Sequence, residues 1–407
     1  MQSLSNLSYK FQASAVDGKS LLDTMRYQRE HSYDGIARMR LEGVDADGIE
    51  WTCGYTIPHT WNPSEGRFEG ELQSLIRDDA SESITRSSCT ELIYSVDRHH
   101  PLALAMIGHK EKKIEMLGST ISFSYDTKAG CVMITASHSE QLPPTFTEAW
   151  LVEPLRILFG QPAMPRLHAR NLGDRSIVFV STVPQVKNAV WSAFWHWGDD
   201  AKWGDFFEWY SRFLNLIALA RDDRGHPNFE PHPITRFYDE LGQVALASRW
   251  VMALTLASAS EGLTKLLRPV KPMTMRDKNA EKVEKAALVK VIENSTAPVR
   301  LKGTAVTAVH NFNFEKETTK NNLRSLKAKA IITPAQFSAW NEIRNSVMHG
   351  ILISPFSHEE EDKKLSDLVE LVHTLTRELL RTSDANYQAN VSCKTSIDVH
   401  DFKSGGT

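Results

Sequence analysis

The chain has 407 residues, which is long enough for two or three domains that each bury a core of their own. Its composition, 41% hydrophobic and 24% charged, is that of an ordinary globular protein, and a net charge of −3 restricts any polyanion-binding site to a local patch. The four cysteines include no C-x-x-C pair, which argues against structural zinc and a disulfide framework and favours a reducing compartment. We find no signal peptide and no apolar run that could cross a bilayer. The sequence therefore predicts a cytoplasmic protein with no membrane partner.

Short segments with period-two alternation recur between turn residues in residues 1–187, and they predict a β-rich, mostly antiparallel N-terminal domain. The strand candidates are Gly35–Leu41, Ile49–Ile57, Leu102–Ile107, Ile121–Tyr125, Cys131–Thr135 and Ile177–Thr182. One helix is expected at Glu148–Phe159, with Thr147 as its N-cap and Gly160 at its end. We interpret this domain as a sensing or regulatory part of the protein.

From residue 188 onward the pattern predicts long helices. Residues 188–232 form an aromatic-rich linker whose rings could stack nucleic-acid bases, although aromatic residues at helical spacing are more often packed in a core. Residues 233–384 are expected to form an all-α bundle, and residues 385–407 a polar, disordered tail. The predicted helices are Ile234–Leu267, Asp277–Glu293, Val299–His310, Thr318–Ala330, Pro334–His349 and His358–Thr382. The fold class is therefore α+β, with a β-rich domain followed by a helical bundle.

The helix expected at Pro334–His349 carries clear signals at both ends. Thr333 and Gln336 have the spacing of a capping box, and Gly350 stands where a left-handed C-terminal residue is expected. An apolar stripe recurs every three or four residues and should face a core; its members are Phe337, Trp340, Ile343 and Val347. Arg344 lies beside that stripe, and His349 falls in the last turn.

Arg344 and His349 together suit metal-free cleavage of RNA. A histidine near a helix C-terminus titrates close to neutrality and can exchange a proton with a ribose 2′-hydroxyl or a leaving 5′-oxygen. An arginine can hold the scissile phosphate with two parallel hydrogen bonds. The spacing alone is weak evidence, because Arg26/His31 and Arg221/His226 repeat it. Taken alone, an arginine and a histidine late in a helix are more often surface or capping residues.

The segment Arg344-Asn-Ser-Val-Met-His349 resembles the arginine–histidine signature of the HEPN superfamily, including the polar Asn345 directly after the arginine. The preceding segment Ala253–Leu263, which contains Glu261, is similar to the helix that carries an acidic residue near this motif in HEPN domains. The two-part architecture resembles that of ApeA-like HEPN proteins, which are bacterial anti-phage abortive-infection ribonucleases.

The resemblance implies a homodimer in which two such motifs meet and form one composite cleft for RNA, such as tRNA. It implies that Arg344 binds phosphate, His349 is the acid and base, Asn345 orients them, and Glu261 braces Arg344. A glutamate beside a glycine in a helix is, however, as often simply a solvated residue. No cofactor and no metal are implied, and the N-terminal domain is expected to receive a phage-derived trigger.

Local charge agrees with an RNA-facing bundle, since residues 261–330 contain 15 Lys and Arg against 7 Asp and Glu. A charge run of this kind is also what an ordinary solvated face shows. The pairs His99/His100 and His226/His232 lack the partners of a metal site and are interpreted as turn residues. The alternative function is a non-catalytic HEPN module, for example the partner of a nucleotidyltransferase.

Overall fold

The chain divides into two compact units, Met1–Ala245 and Leu246–Thr407. The structure is a computed structural model, and it describes residues 9–14, 26, 39–44, 47–56, 60–62, 67–72, 74–80, 87–181, 193–196, 205–222, 224–244, 247–267, 275–311, 318–348, 356 and 358–397. Among these residues, no helix combines the length and the apolar character that crossing a membrane requires.

The first unit contains two antiparallel sheets, which confirms the predicted β-rich domain. Its described strands are β1 (Tyr9–Ser14), β2 (Met39–Val44), β3 (Glu50–Thr56), β4 (Thr60–Asn62), β5 (Arg67–Leu72), β6 (Ser74–Ala80), β7 (Cys89–Ser95), β8 (Glu111–Met116), β9 (Ser119–Asp126), β10 (Cys131–Ser137), β11 (Leu167–Asn171) and β12 (Arg175–Ser181). Nine of them form one sheet in the order β2-β3-β6-β12-β11-β7-β10-β9-β8, and three form another in the order β1-β5-β4.

One face of the large sheet is buried because its strands alternate apolar and polar residues. Ile134 on β10 pairs with Leu92 on one side and Phe123 on the other, and all three are fully buried. Helices α2 (Thr147–Phe159) and α3 (Phe206–Ala218) belong to the same core. The Tyr210 hydroxyl donates to the Leu151 carbonyl at 3.0 Å, and its ring centroid lies 5.0 Å from that of Phe123. Most described aromatic residues of the predicted linker are thus packed in a core, whereas Trp209 is half-buried and Phe229 is 50% exposed. Trp191, Trp197 and Trp203 lie outside the described residues.

Two local predictions in this unit are wrong. The expected strand Leu102–Ile107 contains the short helix α1 (Pro101–Ala105), because Pro101 occupies the first helical position and the His100 ring accepts from the Leu102 amide at 3.1 Å. Thr147 is not a cap. It is the first residue of α2, and its hydroxyl donates to the Pro143 carbonyl at 2.8 Å. Gly160 does end α2 in the left-handed conformation, as expected.

The single helix expected at Ile234–Leu267 is two helices, α4 (Pro233–Val244) and α5 (Arg249–Leu267). Helix α4 belongs to the first compact unit, which ends at Ala245, whereas the sequence predicts the start of the helical bundle at residue 233. The reason is packing on α2, where Asp239 accepts from Arg156 Nε at 2.9 Å and Thr235 donates to Glu153 at 2.6 Å. These partners are distant in sequence, so the helical periodicity did not indicate them.

The second unit is helical, as predicted. Besides α5, it contains α6 (Met275–Glu293), α7 (Val299–Asn311), α8 (Thr319–Ala328), α9 (Pro334–Met348) and α10 (Glu359–Ile397). Its core is formed mainly where α5, α9 and α10 pack on one another. Helix α10 extends to Ile397, so it includes the first part of the tail that the sequence predicts as disordered from residue 385, and residues 398–407 lie outside the described residues. Residues 383–397 contain neither Gly nor Pro, so the backbone of this polar segment has no strong helix breaker.

Gly242 of α4 is expected to resist substitution by alanine. A Cβ added there would lie 2.4 Å from the Gly160 carbonyl oxygen, so the backbones must separate. We expect Gly242→Ala to lower the free energy of unfolding by at least about 1 kcal/mol, although alanine normally favours a helix. Gly303→Ala on α7 is the matched control, since nothing lies within 4 Å of the added Cβ and a gain of up to about 1 kcal/mol is expected. Calorimetric unfolding of the full chain measures the free energy of unfolding of both variants. A higher free energy of unfolding for Gly242→Ala than for the wild type would contradict the close packing of α4 on Gly160.

His232 is expected to make the first unit sensitive to acid. Burial lowers its pKa from 6.5 to about 4, and its Nδ1 accepts from the Ile234 amide at 3.2 Å. As the pH falls, His232 is therefore protonated in the unfolded state before it is protonated in the folded state. The stability that comes from burying the neutral ring is fully present above pH 6.5 and is lost progressively down to about pH 4.

In that interval His232 should contribute a slope of up to about 1.4 kcal/mol per pH unit. His232→Asn keeps a side-chain acceptor for the Ile234 amide. It should reduce by about one the number of protons that the chain takes up on unfolding in this pH interval. Urea unfolding of the wild type and the variant across this pH interval measures the difference between their slopes. The titration of the neighbouring Glu153 contributes to both slopes and therefore largely cancels in the difference. Equal slopes for the two proteins would refute the assignment.

Candidate active site

Helix α9 starts with the predicted capping box. The Thr333 hydroxyl accepts from the Gln336 amide at 3.1 Å, and the Gln336 side-chain oxygen accepts from the Thr333 amide at 2.8 Å. Gln336 is itself buried, and its side-chain nitrogen donates to Thr374 of α10 at 3.2 Å. The cap therefore fixes both the start of α9 and its attachment to α10.

The apolar stripe of α9 faces the core as predicted. Trp340 is 1% exposed and Ile343 is 4% exposed, and Phe337 is half-buried. The side chain of Val347 lies outside the described residues. The Lys327 ammonium of α8 lies 4.8 Å from the centre of the Phe337 ring, which ties a basic helix to the first turns of α9.

Arg344 and Glu261 form an ion pair between α9 and α5. Arg344 Nε donates to Glu261 Oε1 at 2.8 Å, with side-chain exposures of 44% and 29%. The guanidinium carbon lies 5.7 Å from the centre of the Trp340 ring, one turn earlier on the same helix. The arginine is thus held by a carboxylate and an aromatic ring, while much of its side chain remains open to solvent.

The pair uses only Nε of the guanidinium. Because Nε is occupied, the two Nη groups are the pair of donors that can make parallel hydrogen bonds to an oxyanion. From the sequence, Trp340 is predicted only as a core residue and not as part of the site. Its spacing of four residues from Arg344 was the available signal, because residues at this spacing lie on the same side of a helix.

The two other predicted site residues are not joined to this pair. Asn345 is exposed, and among the described side chains no hydrogen bond links it to Arg344 or Glu261. His349 and Gly350 lie outside the described residues, which reach Met348 directly before them. The acid and base role of His349 therefore stays a prediction.

The acidic residue on the other side of α9 is neutralised by its own partners. Lys364 of α10 binds Glu342 at 2.9 Å, and the Ser338 hydroxyl donates to the same carboxylate at 2.7 Å. These contacts hold the pKa of Glu342 below its usual value, with the Lys364 contact contributing most. Because Glu342 is compensated locally, its charge offsets the positive field of Arg344 only weakly.

Within the described ranges, no three His, Cys, Asp or Glu side chains group together as metal ligands. The histidines singled out in the sequence have local roles: His100 begins α1, His232 begins α4, and His226 lies in a turn closed by Asp222. The first unit also contains a half-buried polar cluster that the sequence does not predict. In this cluster Glu148 binds Arg170 at 3.0 Å. Its members come from α2 and β11, and no sequence motif links them.

No family model, curated protein or solved structure matches this chain. The functional interpretation therefore depends on the residues of α9 and α5 themselves and on their resemblance to the HEPN motif.

We expect the Arg344–Glu261 pair to matter little for stability. Both side chains are partly exposed, and such pairs contribute at most about 1 kcal/mol. Glu261→Gln should therefore change the free energy of unfolding by less than about 1 kcal/mol, with a smaller difference at high salt. Glu208→Gln, which removes a carboxylate partner of Arg212 in an ion pair with side-chain exposures of 38% and 53%, is the control. A loss above about 2 kcal/mol for Glu261→Gln alone would identify the pair as a structural element.

Proposed function

We propose that the second unit is a metal-independent endoribonuclease of the HEPN type that acts in the bacterial cytoplasm as an abortive-infection defence against phage. Its substrate would be cellular RNA such as tRNA. The observation that supports this most is the Arg344–Glu261 pair, which holds a solvent-accessible guanidinium on a capped helix five residues before His349. A partly exposed arginine that is positioned on two sides suits phosphate binding better than it suits stabilising the fold.

The proposed reaction needs only an arginine and histidines. A neutral His349 removes the proton of a ribose 2′-hydroxyl, and the resulting oxygen attacks the adjacent phosphorus. The bond to the 5′-oxygen breaks, and that oxygen takes a proton from a histidinium, so the products are a 2′,3′-cyclic phosphate and a 5′-hydroxyl. Two copies of the chain would supply the base and the acid in one composite cleft. DNA would not be cut, because it lacks the 2′-hydroxyl.

In this proposal Arg344 stabilises the charge that develops on the phosphate oxygens. Glu261 occupies Nε and limits the rotamers of the arginine, so less side-chain entropy is lost when the Nη groups bind the phosphate. Asn345 would orient the reacting groups once RNA is bound. The first unit would receive a phage-derived trigger and restrain the nuclease until the trigger is present.

The test compares the wild-type protein with Arg344→Ala and His349→Ala, each expressed with and without phage. Removing either group should lower RNA cleavage by at least about 100-fold and abolish growth arrest, because each acts directly on the reacting phosphate or proton. Sequencing of RNA ends should show 2′,3′-cyclic phosphates, and chelating agents should have no effect. Arg381→Ala, at an exposed and ion-paired arginine of α10, is the control and should behave like the wild type.

Full growth arrest and RNA cleavage in both variants would refute the proposal. Loss of arrest without any change in RNA ends would instead favour the alternative, a non-catalytic HEPN module that acts through a partner such as a nucleotidyltransferase. In that case co-purification should recover the partner with the wild-type chain.

A further inference from the structure

Helices α6 and α7 form a hairpin that lacks a buried core. The two helices pack against each other, and Lys302 Nζ donates to the Glu293 carbonyl at 2.8 Å where the chain turns. None of the described side chains from residue 279 to residue 310 is buried. The half-buried apolar residues that recur at helical spacing mark the faces that meet; they are Val289 and Ile292 on α6, and Ala305, Val306 and Val309 on α7.

The other side of α6 carries a second apolar row. Val283 is 69% exposed and Val291 is 67% exposed, and the exposed Ala287 lies between them at a spacing of four residues. At about 100° per residue, this row lies on roughly the opposite side of α6 from Val289 and Ile292. Single exposed apolar residues are common, but an aligned row of them indicates a surface that binds something. We call the row Val283–Ala287–Val291 the outer ridge.

The shape of the outer ridge suits a second helix. Residues at i, i+4 and i+8 form the ridges that interdigitate when two helices cross at about −50°, the commonest arrangement in globular proteins. Ala287 at the centre is small, which allows the two backbones to approach closely. The same ridge on a second copy would meet these requirements from both sides.

The charges around the ridge favour a second copy over RNA. Glu284 and Lys290 are exposed and lie three residues before and three residues after Ala287, so opposite charges flank the centre symmetrically. A two-fold contact needs a patch that complements itself, and this pattern offers a carboxylate and an ammonium from each copy. The sequence of α6 has five Lys or Arg and four Asp or Glu, whereas a polyanion site would be expected to carry one sign.

We propose that the outer ridge of α6 docks on the outer ridge of a second copy of this chain, with a two-fold axis passing beside Ala287. Two chains would then dimerise through the α6–α7 hairpin, which is supported by the burial and charge of the hairpin and not by ribonuclease activity. This surface would be the dimer contact that the proposed composite cleft requires.

The first experiment measures the mass of the full-length protein by sedimentation equilibrium over a wide range of concentrations, without RNA. Val283→Glu combined with Val291→Glu should weaken dimerisation at least about tenfold, because both valines flank Ala287 in the apolar ridge that the contact buries. Glutamate is a good helix former, and far-UV circular dichroism checks that α6 remains folded. Val44→Glu is the matched control, since this valine of β2 is 65% exposed and lies in the first unit. It should leave the dimer unchanged.

The second experiment tests the position of the axis. Ala287→Cys should form a disulfide-linked dimer under mild oxidation, because a residue beside the axis meets its own copy within the short distance that a disulfide spans. Thr307→Cys, at an exposed position of α7, is the control and should cross-link no more than the wild type.

A chain that stays monomeric at every concentration would overturn the inference, as would a dimer that resists both valine substitutions. If the wild-type chain is monomeric and binds RNA, and the double valine variant no longer binds RNA, then RNA is the occupant of the ridge. This result would also overturn the dimer proposal. Arg344→Ala leaves α6 intact, so it should dimerise like the wild type while losing cleavage. Failure of the ridge proposal and failure of the ribonuclease proposal are therefore distinguishable.

Discussion

The burial of Trp340 is the interaction on which the second unit and its candidate site most depend. The indole is 1% exposed, and its Nε1 has no hydrogen-bond partner among the described residues, which costs about 1–3 kcal/mol. Burying a tryptophan removes about 200 Å² of surface from water and contributes about 5 kcal/mol, so burial outweighs the missing hydrogen bond. Helix α9 is thereby fixed in rotation against α5 and α10, and Arg344, one turn later, is directed toward Glu261.

The site separates what stabilises the fold from what positions the arginine. The capping box and the buried stripe stabilise α9, whereas the Arg344–Glu261 pair is too exposed to contribute much free energy. Its effect is geometric, because a carboxylate at Nε and the ring of Trp340 leave the guanidinium few orientations. An ion pair of little energetic value can therefore still determine where a bound phosphate would lie.

The sequence was informative where local chemistry determines the structure. The capping box at Thr333, the strand Ser119–Asp126 and most helices of the second unit follow from periodicity and end signals that lie within about one turn. Two errors, the strand predicted over α1 and the Thr147 cap, concern local signals that were misread. The larger errors occurred where distant contacts decide. The division of Ile234–Leu267 depends on packing against α2, and Arg344 and Glu261 are 83 residues apart, so only the family resemblance suggested their pairing. Trp340 was recognised as a core residue, but its contact with the guanidinium requires three-dimensional geometry.

The two parts of the second unit differ in how they use apolar residues. Helices α5, α9 and α10 bury theirs within the chain, and this burial creates a rigid base for the arginine. The α6–α7 hairpin has apolar residues on both sides of α6, and one helix partner can cover only one of those sides. A site assembled from two copies needs a contact that does not use the residues of the site itself. In the proposed dimer, an apolar ridge on a separate hairpin would meet that need, because its contact energy would hold two chains together while Arg344 stayed accessible to the proposed phosphate.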